Sequence, residues 1–261
     1  MNKTNTTLND ALNKGYDLDF GIVFEKAFEN YKKIALIAGV TMILLVILFF
    51  ALLGTIIGSL VGINSVTESF TDFSIFNFGI EYVLLYIGIM VLLSALLSPI
   101  GAGFIKMAHL AETNQDFSIG TVFHYFKTAY FKELFFSTLL VSVVNLGIST
   151  LLEYFSIPVL GTIISYVIAF FTIFMVPLII FCNLNAIEAI QSSAKLALKQ
   201  PLVIIGLAVV GFFCIMIGLI GFCIGIFFTL PFWYSLNYAI YNQAVPIDNT
   251  SEIEEIGSFL E

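Results

Sequence analysis

Apolar residues run in long unbroken blocks along this chain, separated by short polar segments. The stretches 34 to 62 and 82 to 105 contain no acidic, basic or histidine side chain, and each exceeds the about 20 residues that carry a helix across a bilayer's hydrocarbon core. Continued along the chain, this pattern predicts six spans, at about 34 to 62, 82 to 107, 134 to 152, 157 to 182, 201 to 220 and 222 to 242. The first is long enough to tilt or to project past the lipid. The last two are expected to join at a turn near Gly218, Leu219, Ile220 and Gly221. A single broken helix over the same residues would put the C-terminus on the opposite face.

A second period lies just ahead of the spans. Around FHYFKTAYFK (123 to 132), Ile119, Val122, Phe123, Phe126, Ala129 and Tyr130 recur at helical spacings, and Asp116 is a candidate N-cap. This predicts an amphipathic helix in the inner interface, with Phe123, Phe126 and Tyr130 toward lipid or bundle and Lys127 and Lys132 toward headgroups. FEKAFENYKK (24 to 33) repeats the pattern, with Phe24, Ala27, Phe28 and Tyr31 on one stripe and Lys32 and Lys33 at its end. IQSSAKLALK (190 to 199) ends the same way, in Lys195 and Lys199, with small residues in place of rings. It is expected to pack against protein. Pro99, Pro177 and Pro231 fall in the second, fourth and sixth spans. These recurrences predict a three-fold internal repeat, about 19 to 112, 116 to 188 and 189 to 244, with parallel units around a pseudo-threefold axis along the membrane normal. The expected fold is all-α: a polytopic transmembrane bundle of six spans with three cytoplasmic-face interfacial amphipathic helices. A polar tail (1 to 18) and an acidic tail (245 to 261) flank the membrane domain (19 to 244).

Composition agrees with this reading. The chain of 261 residues is 59% hydrophobic and 11% charged, against about 25% charged in ordinary soluble domains, and its mean hydropathy is +1.03. The net charge of -8 does not argue for nucleic-acid binding, which needs clustered basic charge, and no nucleic-acid partner is expected. All 10 basic residues are lysines. They fall before the first expected span, between the second and third, and between the fourth and fifth, whereas 63 to 81 and 153 to 156 carry only acidic charge. Basic residues near span ends stay cytoplasmic, so both termini are expected inside. No cleaved targeting sequence is evident. Cys182, Cys214 and Cys223 lie in or beside apolar runs and read as small buried hydrophobes.

Motifs for chemistry are sparse. The chain lacks GxSxG, Walker and dinucleotide patterns. His109, Glu112, Asp116 and His124 lie in one inner loop, but their spacing matches no specific metal motif. No metal, cofactor or catalytic residue is assigned. Coupled transport usually leaves ionisable groups inside spans, and here only polar candidates remain: Asn145, Ser165, Thr172, Thr229, Tyr234 and Asn237. Proline removes a backbone hydrogen bond, so Pro99, Pro177 and Pro231, with Thr172, Thr229 and Asn237, mark a candidate cavity or set of kinks. Mitochondrial carriers also have three proline-kinked units, but their Px[DE]xx[KR] motif is replaced here by PIGAGF, PLIIFC and PFWYSL, which excludes that assignment.

The aromatic stretch ending in lysine before a span, the segment PLIIFCNLNAIEAIQSSAKLALKQPLVIIG (177 to 206) and the final LPFWYSLNYAIYNQ (230 to 243) resemble a loose group of bacterial six-span proteins. That group includes the membrane domain attached to some glycerophosphodiester phosphodiesterases. The resemblance spans residues 20 to 243 and implies an integral membrane role with no catalytic residues; the soluble phosphodiesterase portion is absent from this sequence. The expected function is a non-enzymatic inner-membrane scaffold or a lipid- or amphiphile-binding partner of another protein. The alternative is a passive or partner-driven transporter using the proline-lined spans.

Overall fold

Lipid supplies no water to an open peptide group, so a chain this apolar must satisfy its backbone within helices. The computed structural model describes residues 3–61, 80–221 and 224–247, and every regular element among them is helical. In chain order these are α1 (Lys3–Lys14), α2 (Phe20–Val61), α3 (Ile80–Glu112), α4 (Ile119–Val122), α5 (Tyr130–Tyr154), α6 (Pro158–Phe171), α7 (Met175–Cys182), α8 (Ala186–Ala197), α9 (Pro201–Met216), α10 (Gly225–Thr229) and α11 (Pro231–Ala244). Short 3-10 turns occupy His124–Lys127 and Ile217–Gly221.

Five helical stretches are long and apolar enough to cross a membrane: Phe20–Leu52, Ile80–Glu112, Tyr130–Tyr154, Pro158–Cys182 and Pro201–Ile220. Their outer faces are oily. Only 11% of the most apolar window of Tyr130–Tyr154 is buried inside the protein, and Leu44, Leu48, Phe50, Leu84, Val144 and Phe213 all face outward. No soluble protein of this size exposes so much contiguous apolar surface. The protein is a multi-pass membrane protein.

The sixth expected span is not among the five. Residues 225 to 244 divide at Leu230 into the 5 residues of α10 and the 14 of α11, and 14 residues rise only about 21 Å against a core of about 30 Å. Residues 222–223 lie outside the described residues, as do the segment from 62 to 79 and the acidic tail from 248 onward. The chain does reverse at the expected glycines. A Cβ on Gly218 would stand 2.7 Å from the Ile226 Cα, and the Thr229 hydroxyl donates to the Ile215 carbonyl at 2.9 Å.

Two predicted interfacial helices take other forms. FEKAFENYKK is the opening of α2, which continues for 42 residues, about 63 Å, and so extends beyond the bilayer as one rod. Nothing between Lys33 and Ile34 breaks helical geometry, and extending an existing helix needs no new nucleus. Its cap is Asp19, whose Oδ1 accepts from the Ile22 amide at 2.8 Å. The stretch from 119 to 132 breaks instead, into α4, the 3-10 turn and an extended Thr128 at φ -112, ψ 165. The α4 N-cap position is Ser118 rather than Asp116, with the Ser118 amide donating to Thr121 Oγ1 at 3.1 Å. The break turns Val122 and Tyr125, three residues apart, into the core. Gly103 of α3 makes room for Val122, since a Cβ there would lie 2.2 Å from the Val122 carbonyl oxygen.

Helix α11 packs against α2, α3 and α9, burying Phe232, Leu236, Tyr238, Ile240 and Tyr241. The facing stripe of α2, Ala27, Asn30, Ile34, Ala38 and Thr41, is also buried. The polar segment at the N-terminus folds back as α1 on α7 and α8, with Leu8, Ala11 and Leu18 in the core. Gly15 at φ +86 ends α1, a left-handed conformation open to glycine. Tyr16 then donates from its hydroxyl to the Leu196 carbonyl at 2.7 Å and accepts at its own carbonyl from Gln200 Nε2 at 3.0 Å.

Gly103→Ala is expected to cost about 1–3 kcal/mol through overpacking and to lower the thermal midpoint in detergent. Gly88→Ala, where no atom lies within 4 Å of the added carbon, should leave it unchanged.

Candidate functional site

Proline has no N–H, so each helical proline leaves open the carbonyl four residues earlier. At Pro99 that carbonyl belongs to Ala95, and the Ser98 hydroxyl donates to it at 2.8 Å; α3 continues unbroken. At Pro177 it belongs to Ile173, and Asn237 Nδ2 of α11 donates to it at 2.7 Å. Ser193 of α8 closes the rest of that break. Its hydroxyl donates to the Phe171 carbonyl at 2.7 Å and accepts from the Phe174 amide at 3.0 Å. Pro231 begins α11, where a missing N–H is tolerated. Thr172 bonds back to the Ile168 carbonyl at 2.8 Å. The residues expected around a cavity, Thr172, Thr229 and Asn237, therefore each donate to a backbone carbonyl. The crevice beside Asn237, lined by Ile173, Ala208, Trp233 and Leu236, has about 0 Å³ of water-sized space.

The polar concentration lies elsewhere, where the start of α2 meets the ends of α3 and α11. Glu112 Oε2 accepts from Asn30 Nδ2 at 2.8 Å, and Oε1 accepts from Asn242 Nδ2 at 3.1 Å. One carboxylate thus ties three helices together. Asn242 Oδ1 in turn accepts from the Ile247 amide at 3.1 Å. Nearby, His109 Nδ1 and the Tyr238 hydroxyl are 3.0 Å apart. A cavity of about 140 Å³ opens beside this knot, lined by Ile22, Val23, Lys26, Glu112, Ala239, Asn242 and Gln243. The Gln243 Oε1 is buried and accepts no hydrogen bond, as are Asn237 Oδ1 and Asn145 Oδ1.

The expected anchors divide between two tasks. Phe28, Phe123 and Phe126 are exposed, and Lys32 lies 5.3 Å above the Phe28 ring. Phe24 and Tyr31 instead pack edge-on against Phe232, with centroids 5.9 and 5.5 Å away. Lys33 donates to the Ala111 carbonyl at 2.7 Å and to Asn114 Oδ1 at 2.9 Å, a cation at the C-terminal end of α3 where the helix dipole favours it. Tyr130 donates to Asn183 Oδ1. Lys132, Lys195 and Lys199 are exposed.

Compared with protein-family models, curated proteins and solved structures, the chain has no match. Of the four residues weighed as a metal set, three have other partners: Glu112 on its two asparagines, His109 on Tyr238 and His124 edge-on to Tyr125 at 5.1 Å. Among the described residues no group of three or more His, Cys, Asp or Glu side chains is placed to hold a metal. Burial, with the Lys106 charge adding to it, holds the His124 pKa below its ordinary value. Burial pushes those of Tyr16 and Tyr125 up. Sequence reasoning missed Asn30, Ser193 and Asn242. The available signal was Asn30 on the stripe of Ala27 and Ile34, an amide where the period calls for an apolar residue.

Ser193→Ala is expected to leave the Phe174 amide and Phe171 carbonyl unpaired, costing about 1–3 kcal/mol. Equilibrium unfolding in detergent would measure it; an unchanged midpoint would mean the break is closed without this hydroxyl.

Proposed function

We propose that this is a non-enzymatic protein of the plasma membrane, acting as a membrane scaffold or a lipid- or amphiphile-binding partner of another protein. The observation that carries this reading is the cavity at the meeting of α2, α3 and α11, where Lys26, Glu112, Asn242 and Gln243 stand beside the apolar Ile22 and Val23. An amphiphile needs that pairing of polar and oily walls. Inside the spans, by contrast, the hydroxyls and amides engage backbone carbonyls and one another, as in Ser94 with Ser142 at 2.9 Å and Ser149 with Ser165 at 3.1 Å. Such bonds hold helices together.

The cavity end is the lysine-bearing end, and the positive-inside rule puts it in the cytoplasm, with the N-terminus inside. A sixth, broken crossing through α10 and α11 returns the C-terminus to the same side. The three-unit repeat (19 to 112, 116 to 188, 189 to 244) is supported by the lysine ending common to all three stretches, the rings of the first two, and Pro99, Pro177 and Pro231. The likeness to the membrane domain of glycerophosphodiester phosphodiesterases belongs to this reading as well.

Purification in a mild detergent followed by mass spectrometry of everything retained is expected to find bound lipid or a protein partner. Recovery of the bare chain would refute the proposal. A topology reporter inserted near residue 120 should respond from the cytoplasm; an external signal would reverse the orientation.

A further inference from the structure

We propose that the cavity between α2, α3 and α11 binds a small zwitterion carrying a primary ammonium and an anionic group, of the phosphoethanolamine class. This rests on the lipid-binding reading above and specifies its headgroup. Lys26 and Glu112 line the same cavity, yet the described residues hold no ion pair between them. Lys26 makes no hydrogen bond to the described protein. Opposite charges that face a common space without closing on each other suit a ligand that is itself dipolar. The anionic end belongs to Lys26, a compact cation suited to phosphate.

The other wall asks for a donor. Gln243 Oε1 is a buried acceptor with no partner, a state that costs free energy until a donor arrives. Glu112 presents two further acceptor oxygens, each taking a single protein hydrogen bond, and a carboxylate accepts about four in all. An ammonium with three N–H groups matches this wall; a quaternary ammonium, which has none, does not. The cavity volume of about 140 Å³ is roughly ten times the about 10–15 Å³ that one water requires. It therefore has room for a headgroup. Ile22, half-exposed, gives the glycerol end of a lipid an apolar exit.

The test uses the full chain in nanodiscs that pair phosphatidylglycerol with either phosphatidylethanolamine or its N-trimethyl counterpart, phosphatidylcholine. Native mass spectrometry reads the lipid retained. Phosphatidylethanolamine should be favoured by about tenfold, the scale of a charge-assisted hydrogen bond. Lys26→Gln should weaken retention of both lipids, and Gln243→Met should abolish the preference for the free amine. Neither side chain makes a hydrogen bond to the described protein, so equal thermal midpoints would confirm that both variants fold. Displacement by soluble phosphoethanolamine would assign a free zwitterion as the occupant; retention against it would assign the lipid. Retention blind to amine methylation, or unaltered in Lys26→Gln, would overturn this proposal and leave lipid binding standing. A chain that holds no lipid and no phosphoethanolamine would overturn both.

Discussion

The backbone hydrogen bond is the constraint on which this structure depends. In hydrocarbon an open peptide group costs several kcal/mol, so every interruption of a helix must be closed by something. Here the closures come from distant parts of the chain. Ser193 and Asn237 mend the break between α6 and α7 from two different helices, and the Ser235 hydroxyl donates to the Ala27 carbonyl at 2.6 Å. The polar side chains in the bundle are fasteners, and their positions follow from where prolines and turns open the backbone.

That principle also separates the interior of the bundle from the end where α2, α3 and α11 meet. Deep in the bundle, Gly211 lets Leu236 approach so closely that a Cβ would stand 2.6 Å from its Cδ2, and packing is tight. At the end of α3, charge and amide groups collect around Glu112 and leave a cavity beside them. The contrast is electrostatic: charged groups are tolerated where water or headgroups reach them, and rare where they do not.

The membrane class and most crossings were legible in the sequence because they depend on composition over windows of about 20 residues. The details that decided local form were not. FEKAFENYKK and FHYFKTAYFK share a pattern, yet one continues as helix and the other breaks, where Val122 packs against Gly103 and Tyr125 enters the core. The expected set of Thr172, Thr229 and Asn237 was correctly seen as polar, but its hydrogen bonds run to carbonyls whose exposure depends on the fold. Glu112 was visible as a loop residue; its convergence with Asn30 and Asn242 joins positions 82 and 130 residues apart, beyond any local period.

The docking of α1 bears on the order of assembly. Tyr16 and Leu196 are separated by 180 residues, and Tyr16 and Gln200 by 184. Helix α1 therefore waits, unattached, until the residues it docks on, 180 and 184 positions further along, have been synthesised and threaded into the bilayer. Until then Leu8, Ala11 and Leu18 have no core to pack into.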